Sequence, residues 1–300
     1  MTINASPAPL PRARPGDYAL LHVIVLAWGL TAILGRLISL TPVVIVVWRT
    51  GIAALAMLAI VLARRLPWPS RRELLPILGG GALIGSHWVL FFLSGRVGSV
   101  TVGLAGLSTL ALWVALLEPL VIRGRRWSWA EGLLATGVMG GMLLLDFSDH
   151  GLLIGVAAAA LAAGLSILNA GLVRRHPVMV ISCIEMGTAC VVCTAAALLM
   201  PPAGGLVWRP LPGDWLWLLT LAIVCTVFAF SACVWVQKRV SAFSVGMASN
   251  LEPVYGMVLA PLVFGAAENQ PLKFYLGAAV IIGFVVLHTV LSSRRPRVEK

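Results

Sequence analysis

Four ionisable side chains stand inside long apolar stretches of this sequence: Arg49, His87, Glu185 and Glu252. A charge among hydrocarbon is costly unless it is paired or faces water, so each marks a position where ligand binding or proton transfer is expected. Arg49 and Glu185 sit at nearly the same depth in their stretches and are expected to be neutralised near a central cavity, by each other or by other groups. A purely structural ion pair, or an Arg49 snorkelling outward along its stem, is the alternative. Glu252 precedes Pro253, whose missing backbone donor loosens the helix around it. A carboxylate there would bind a proton or a substrate amine, unless a neighbouring helix satisfies it. His87, beside Trp88, suits proton coupling; an interhelical hydrogen-bonded histidine is the other reading. Asn169, Asn250 and Tyr255 add uncharged polar groups. Trp28, Trp113 and Trp235 add deep aromatic faces that would stack on an apolar substrate, although a single deep tryptophan is more often packing. Glu118 is expected at headgroup level, paired with Arg123, Arg125 and Arg126.

The elements that carry these residues are read from hydropathy. Hydrophobic residues make up 60% of the 300 and charged residues 11%, with a mean hydropathy of +0.98; a soluble domain carries about a quarter charged residues. Apolar runs fall at 18–38, 42–63, 74–94, 98–121, 127–146, 151–173, 177–200, 214–237, 242–265 and 273–293. About 20 apolar residues cross a hydrocarbon core of roughly 30 Å as a helix. The expected fold is therefore all-α and integral to the membrane, with ten transmembrane helices joined by short connections.

Charge sets the orientation. With both termini inside, most Lys and Arg fall in the inner segments. Only Arg36, Arg96, Arg209 and Lys273 lie at outer ends, and Arg49 lies within a span. Such a bias matches the positive-inside rule. The +11 net charge thus reads as orientation and contact with membrane lipid rather than nucleic-acid binding. Residues 1–17 and 294–300 are expected as cytoplasmic tails, and the N-terminus shows no signal-peptide cleavage site. Trp68, Trp127, Trp129, Trp208, Trp215 and Trp217 near span ends fit an aromatic belt. The cysteines Cys183, Cys190, Cys193, Cys225 and Cys233 all fall inside spans and read as small apolar helix residues. No Walker A loop, HExxH zinc motif or GxSxG elbow occurs, so no enzyme, cofactor or metal site is expected. Ala-, Leu- and Arg-rich usage suggests a bacterial inner (plasma) membrane, and a basket of ten helices suits a monomer.

The two halves echo each other. Leu26-Ala27-Trp28-Gly29-Leu30-Thr31 resembles Leu161-Ala162-Ala163-Gly164-Leu165-Ser166, and Pro42-Val43 falls on Pro177-Val178, both at an offset of 135. Arg96 to Gly103 echoes Arg239 to Gly246 at an offset of 143. Five spans separate equivalent helices, so 18–146 and 151–293 form a 5+5 inverted-topology repeat around a central cavity, an arrangement suited to alternating access. The chain resembles the drug/metabolite transporter superfamily, in particular its EamA-type exporters. Trp28-Gly29, Arg49 and the run Val245-Gly246-Met247-Ala248-Ser249-Asn250-Leu251-Glu252-Pro253-Val254 carry the resemblance. Leu107-Ser108-Thr109-Leu110, in the span equivalent to that run, departs by lacking the proline. The resemblance implies a secondary transporter exporting small metabolites, and one branch of the family exports amino acids, including aromatic ones. A multidrug or other-metabolite exporter and a channel or facilitator remain the alternatives, and proton antiport, exchange and facilitation are all open as energy sources.

Overall fold

The computed structural model describes residues 13–98, 100–122, 128–142, 150–199, 201, 204–265 and 271–294. The regular elements among them are helices: α1 (Pro15–Leu37), α2 (Pro42–Ala63), α3 (Arg71–Val97), α4 (Val100–Leu107), α5 (Leu110–Val121), α6 (Trp129–Met142) and α7 (His150–Leu172), then α8 (Val178–Leu199), α9 (Asp214–Ala222), a π-helical turn (Ile223–Phe228), α10 (Ala229–Val236), α11 (Ala242–Ser249), α12 (Glu252–Phe264) and α13 (Leu272–Arg294). By length and composition, six stretches among the described residues are apolar enough to cross a membrane: α1, α2, α3, α7, α8 and the continuous rod Asp214–Val236.

Local chemistry explains where the helices depart from the hydropathy boundaries. α1 begins at Pro15, a residue whose missing N–H costs nothing in a first turn. α3 starts at Arg71, ahead of the expected 74, because Ser70 and Glu73 form a capping box. Ser70 Oγ donates to Glu73 Oε2 at 2.7 Å, and so does Ser70 N at 3.0 Å. The stretch 98–121 is not one helix. Thr109 turns its hydroxyl back onto Gly106 O at 2.8 Å, and its backbone N–H bonds the same carbonyl, so the ladder closes between α4 and α5. The stretch 242–265 breaks likewise at Asn250-Leu251, whose N–H groups reach Met247 O and Ala248 O, and α12 restarts with proline in its first turn. Of the expected 127–146 span, α6 covers Trp129–Met142, and Trp127 lies outside the described residues.

Packing follows the small residues. α2 lies along α8, and α3 lies against both α7 and α8. Gly81 and Gly85, four residues apart in the small-xxx-small spacing of close helix approach, face α8. A Cβ at Gly81 would sit 2.5 Å from Thr188 Cβ and 2.7 Å from Glu185 O, so only glycine permits this approach. α4 crosses α7 where Gly106 meets the backbone of Gly155. Outward faces carry exposed Leu55, Leu120, Leu133, Val191, Leu199 and Leu262, apolar surface that a soluble protein rarely leaves uncovered. Of the expected belt, Trp68, Trp129 and Trp215 are exposed, whereas Trp208 and Trp217 are half-buried against the core.

Polar clasps join distant elements. Arg239, just beyond α10, grips Asp17 on α1 through Nε at 2.9 Å and Nη2 at 2.6 Å. Asp214 at the start of α9 accepts from Ser39 N (2.8 Å) and Ser39 Oγ (2.6 Å) in the α1–α2 connection. Arg96 donates to Leu40 O and Ile38 O in the same connection.

Candidate functional site

α1–α5, α7 and α10–α12 line a cavity holding about 730 Å³ of atom-free space, part of it open. Its walls are mainly apolar and aromatic, with Trp28, Trp88, Phe91 and Phe230 among them. Its two ionisable carriers of opposite sign are Arg49 and Glu252, and His87 and Asn169 also border it.

Arg49 is 1% exposed and is fixed on three sides. Nε donates to Thr226 Oγ1 at 2.6 Å and Nη2 to Cys225 O at 3.3 Å. The guanidinium carbon stands 3.7 Å from the Trp88 ring centroid. In a desolvated site a cation over an indole is worth about 2 kcal/mol, which offsets part of the cost of burial. The acceptors exist because the π turn supplies them: its wider winding detaches carbonyls from the regular ladder, while Thr226 Oγ1 reaches back to Leu221 O at 2.8 Å. Arg49 Nη1 finds no hydrogen-bond partner among the described residues. Glu252 is buried at the start of α12 and, among the described residues, makes neither a hydrogen bond nor an ion pair. A cation with a spare donor and an unengaged carboxylate therefore share one aromatic-walled cavity.

The expected neutralisation of Arg49 by Glu185 does not occur. Both helices pack together, but the two side chains leave them in different directions. Arg49 points to the π turn and Trp88, whereas Glu185 points toward Gly80 of α3 and accepts from Asn169 Nδ2 of α7 at 3.4 Å. The match in depth says nothing of rotation about the helix axis, and each residue turns a side chain by about 100°. His87 is buried beside the cavity. Its Nδ1 donates to Ala158 O at 2.8 Å, and its ring stacks on Phe91.

The remaining expected residues divide. Trp28 and Asn169 line the cavity. Trp113, whose buried indole N–H has no partner among the described residues, and Asn250, 0% exposed, lie outside its lining. Tyr255 is half-buried against α1, where its hydroxyl meets His22 Nδ1 at 3.1 Å. Trp235 is 38% exposed on the outer surface, with Arg239 4.2 Å from its ring centroid; a bulky ring at the membrane face has no access to the cavity. The Arg partners expected for Glu118 lie outside the described residues. Sequence inspection passed over Gln237 and Ser166, which bond across the wall (Nε2 to Oγ, 2.7 Å). The available signal was a hydroxyl within the 151–173 run and an amide at the end of the 214–237 run.

The comparisons bear on this geometry. Residues 149–290 match the EamA-like transporter family. The EamA match takes in α7 and runs into α13, including α12 with Glu252. A solved crystal structure overlays the chain with a TM-score of 0.71 at 19% identity, covering 95% of this chain and 100% of that one; at that identity the likeness is one of fold alone. No curated protein matches. By length and composition the six apolar stretches are those of a multi-pass membrane protein, and the C-terminal half is similar to a transporter family.

Proposed function

We propose that this protein is a secondary exporter of zwitterionic metabolites, amino acids with apolar or aromatic side chains foremost, working by alternating access in a bacterial inner membrane. One observation carries the reading: Arg49 Nη1, without a hydrogen-bond partner among the described residues, and the Glu252 carboxylate, which makes no hydrogen bond or direct ion pair among them, border the same cavity. A substrate carboxylate would complete the hydrogen bonding of Arg49, and its ammonium group would neutralise Glu252. Hydrogen bonds to charged groups contribute about 1.5–3 kcal/mol each. Trp28, Trp88, Phe91 and Phe230 would hold the side chain.

Ten spans in a 5+5 inverted repeat frame the motion. Pairs of lining residues at the repeat offsets support that arrangement: Thr31 and Ser166 are 135 apart, and His87 with Phe230, and Phe91 with Val234, are each 143 apart. So do the matching interruptions, α4/α5 at Ser108-Thr109 and α11/α12 at Asn250-Leu251. A central cavity at the interface of two such repeats opens to either side as one repeat rocks on the other.

Counterflow in proteoliposomes tests the proposal. Preloading with unlabelled phenylalanine or leucine is expected to drive saturable uptake of the labelled amino acid. Phenethylamine and phenylpropionate, each lacking one charge, are expected to compete poorly. Failure of every amino acid alongside counterflow of cationic dyes would assign the cavity to drugs instead.

A further inference from the structure

A second acid lies behind the cavity wall. Glu185 of α8 is 0% exposed. Its Oε2 accepts from Asn169 Nδ2 at 3.4 Å, while its Oε1 and Asn169 Oδ1 are both buried without partners among the described residues. Gly80 of α3 lies directly over Oε1. The charged and titratable groups on the helices packed against it are engaged elsewhere or remote. On α2, Arg49 is bound to Thr226 and Cys225. On α3, His87 is bound to Ala158, Arg71, Arg72 and Glu73 stand in the first turn, and Arg96 stands in the last. α7 adds His150 at its first residue, α10 adds Cys233, and α8 itself adds Cys183, Cys190 and Cys193. Among the described residues no cation comes within ion-pair distance of Glu185.

An ionised carboxylate in that setting would be a buried charge without compensation. One proton resolves both unpartnered atoms. Placed on Oε1, it would give Asn169 Oδ1 a donor while Asn169 Nδ2 donates to Oε2, as in a cyclic acid–amide pair. We infer that Glu185 and Asn169 form a proton-binding site, separate from the substrate charges Arg49 and Glu252, through which transport is coupled to a proton. The inference rests on the transporter reading above. Asn169 connects the two sites, since its side chain borders the cavity and contacts Glu185. The glycine face of α3 seals the acid in the conformation described here. Separation of α3 from α8 admits water, the proton passes to that water, and the carboxylate is left hydrated. No other atom is exchanged.

The test uses full-length protein in proteoliposomes. Wild-type efflux is expected to accelerate when a proton gradient opposes the substrate flow, and wild-type transport indifferent to that gradient overturns the proposal whatever the variants do. Glu185→Gln keeps the shape and the paired hydrogen bonds but binds no exchangeable proton. It is expected to exchange labelled for unlabelled substrate with no gradient and to lose its response to the gradient; an intact response overturns the inference. Infrared difference spectra give a readout that needs no substrate. Wild-type protein minus Glu185→Gln is expected to show the carbonyl band of an un-ionised carboxylic acid at neutral pH, and absence of that band also overturns it. Should no substrate move at all, the transport reading fails, and the infrared result still decides the protonation of Glu185.

Discussion

Arg49 is tolerated inside the bundle because a hydroxyl, a carbonyl freed by the π turn and an indole face share its charge, yet one guanidinium nitrogen is left over. Lysine offers one ammonium in place of the fork and cannot hold Thr226 and Cys225 while also presenting a free donor. Arg49→Lys is therefore expected to raise KM for amino-acid counterflow by ~10- to 100-fold with normal membrane insertion. Glu252→Gln is expected to weaken amino acids by a similar factor while sparing analogues that lack the ammonium group. Trp235→Phe changes a ring on the outer surface, so its KM is expected to match wild type. At this scale the sequence exposed which side chains were chemically unusual but not their partners. Arg49, Glu185 and Glu252 stood out because hydrocarbon surrounds them. Of their partners, Thr226 and Cys225 are ordinary residues of membrane helices that only helix rotation selects, whereas Asn169 already stood out as a polar group, though not as the partner of Glu185.

Helix interruptions, not helix lengths, shape the cavity. Hydropathy located the apolar runs because lipid demands an unbroken length of them, but it is blind to winding. The turn at Ser108-Thr109 and the one at Asn250-Leu251 swap helix hydrogen bonds for i→i+3 bonds without changing polarity, and the π turn at Ile223–Phe228 leaves no compositional trace. Pro253 was the one legible signal, and the break falls just before it. Close packing was more readable: Gly81 and Gly85 were recognisable from their spacing and do meet α8. Adding a methyl at Gly81 forces backbone apart, at a cost of about 1–3 kcal/mol. Gly81→Ala is expected to lower the thermal stability of the solubilised protein, whereas Gly79→Ala, whose Cβ would enter open space, is expected to leave it unchanged or slightly raised. Loss of the Asp17–Arg239 clasp in Asp17→Asn is expected to loosen the end of α1 against α10, measured as faster labelling of a cysteine placed at position 20.

For the whole molecule, the proposal rests on a cavity with one charge of each sign, enclosed by two halves that we propose are threaded in opposite senses. The proposed repeat puts both termini on one face, which the distribution of Lys and Arg makes the cytoplasmic one. Reporter fusions at residue 1 and residue 300 are expected to show cytoplasmic activity together, and opposite locations would refute the repeat. Direct binding bears on the cavity itself. Isothermal titration of the purified protein with phenylalanine, phenethylamine and phenylpropionate is the measurement that tests the central claim most closely. The zwitterion is expected to bind at least ~10-fold more tightly than either singly charged analogue, as loss of one charge-assisted contact implies, and Arg49→Lys is expected to erase its advantage over the amine. Equal affinity for all three ligands would contradict the account.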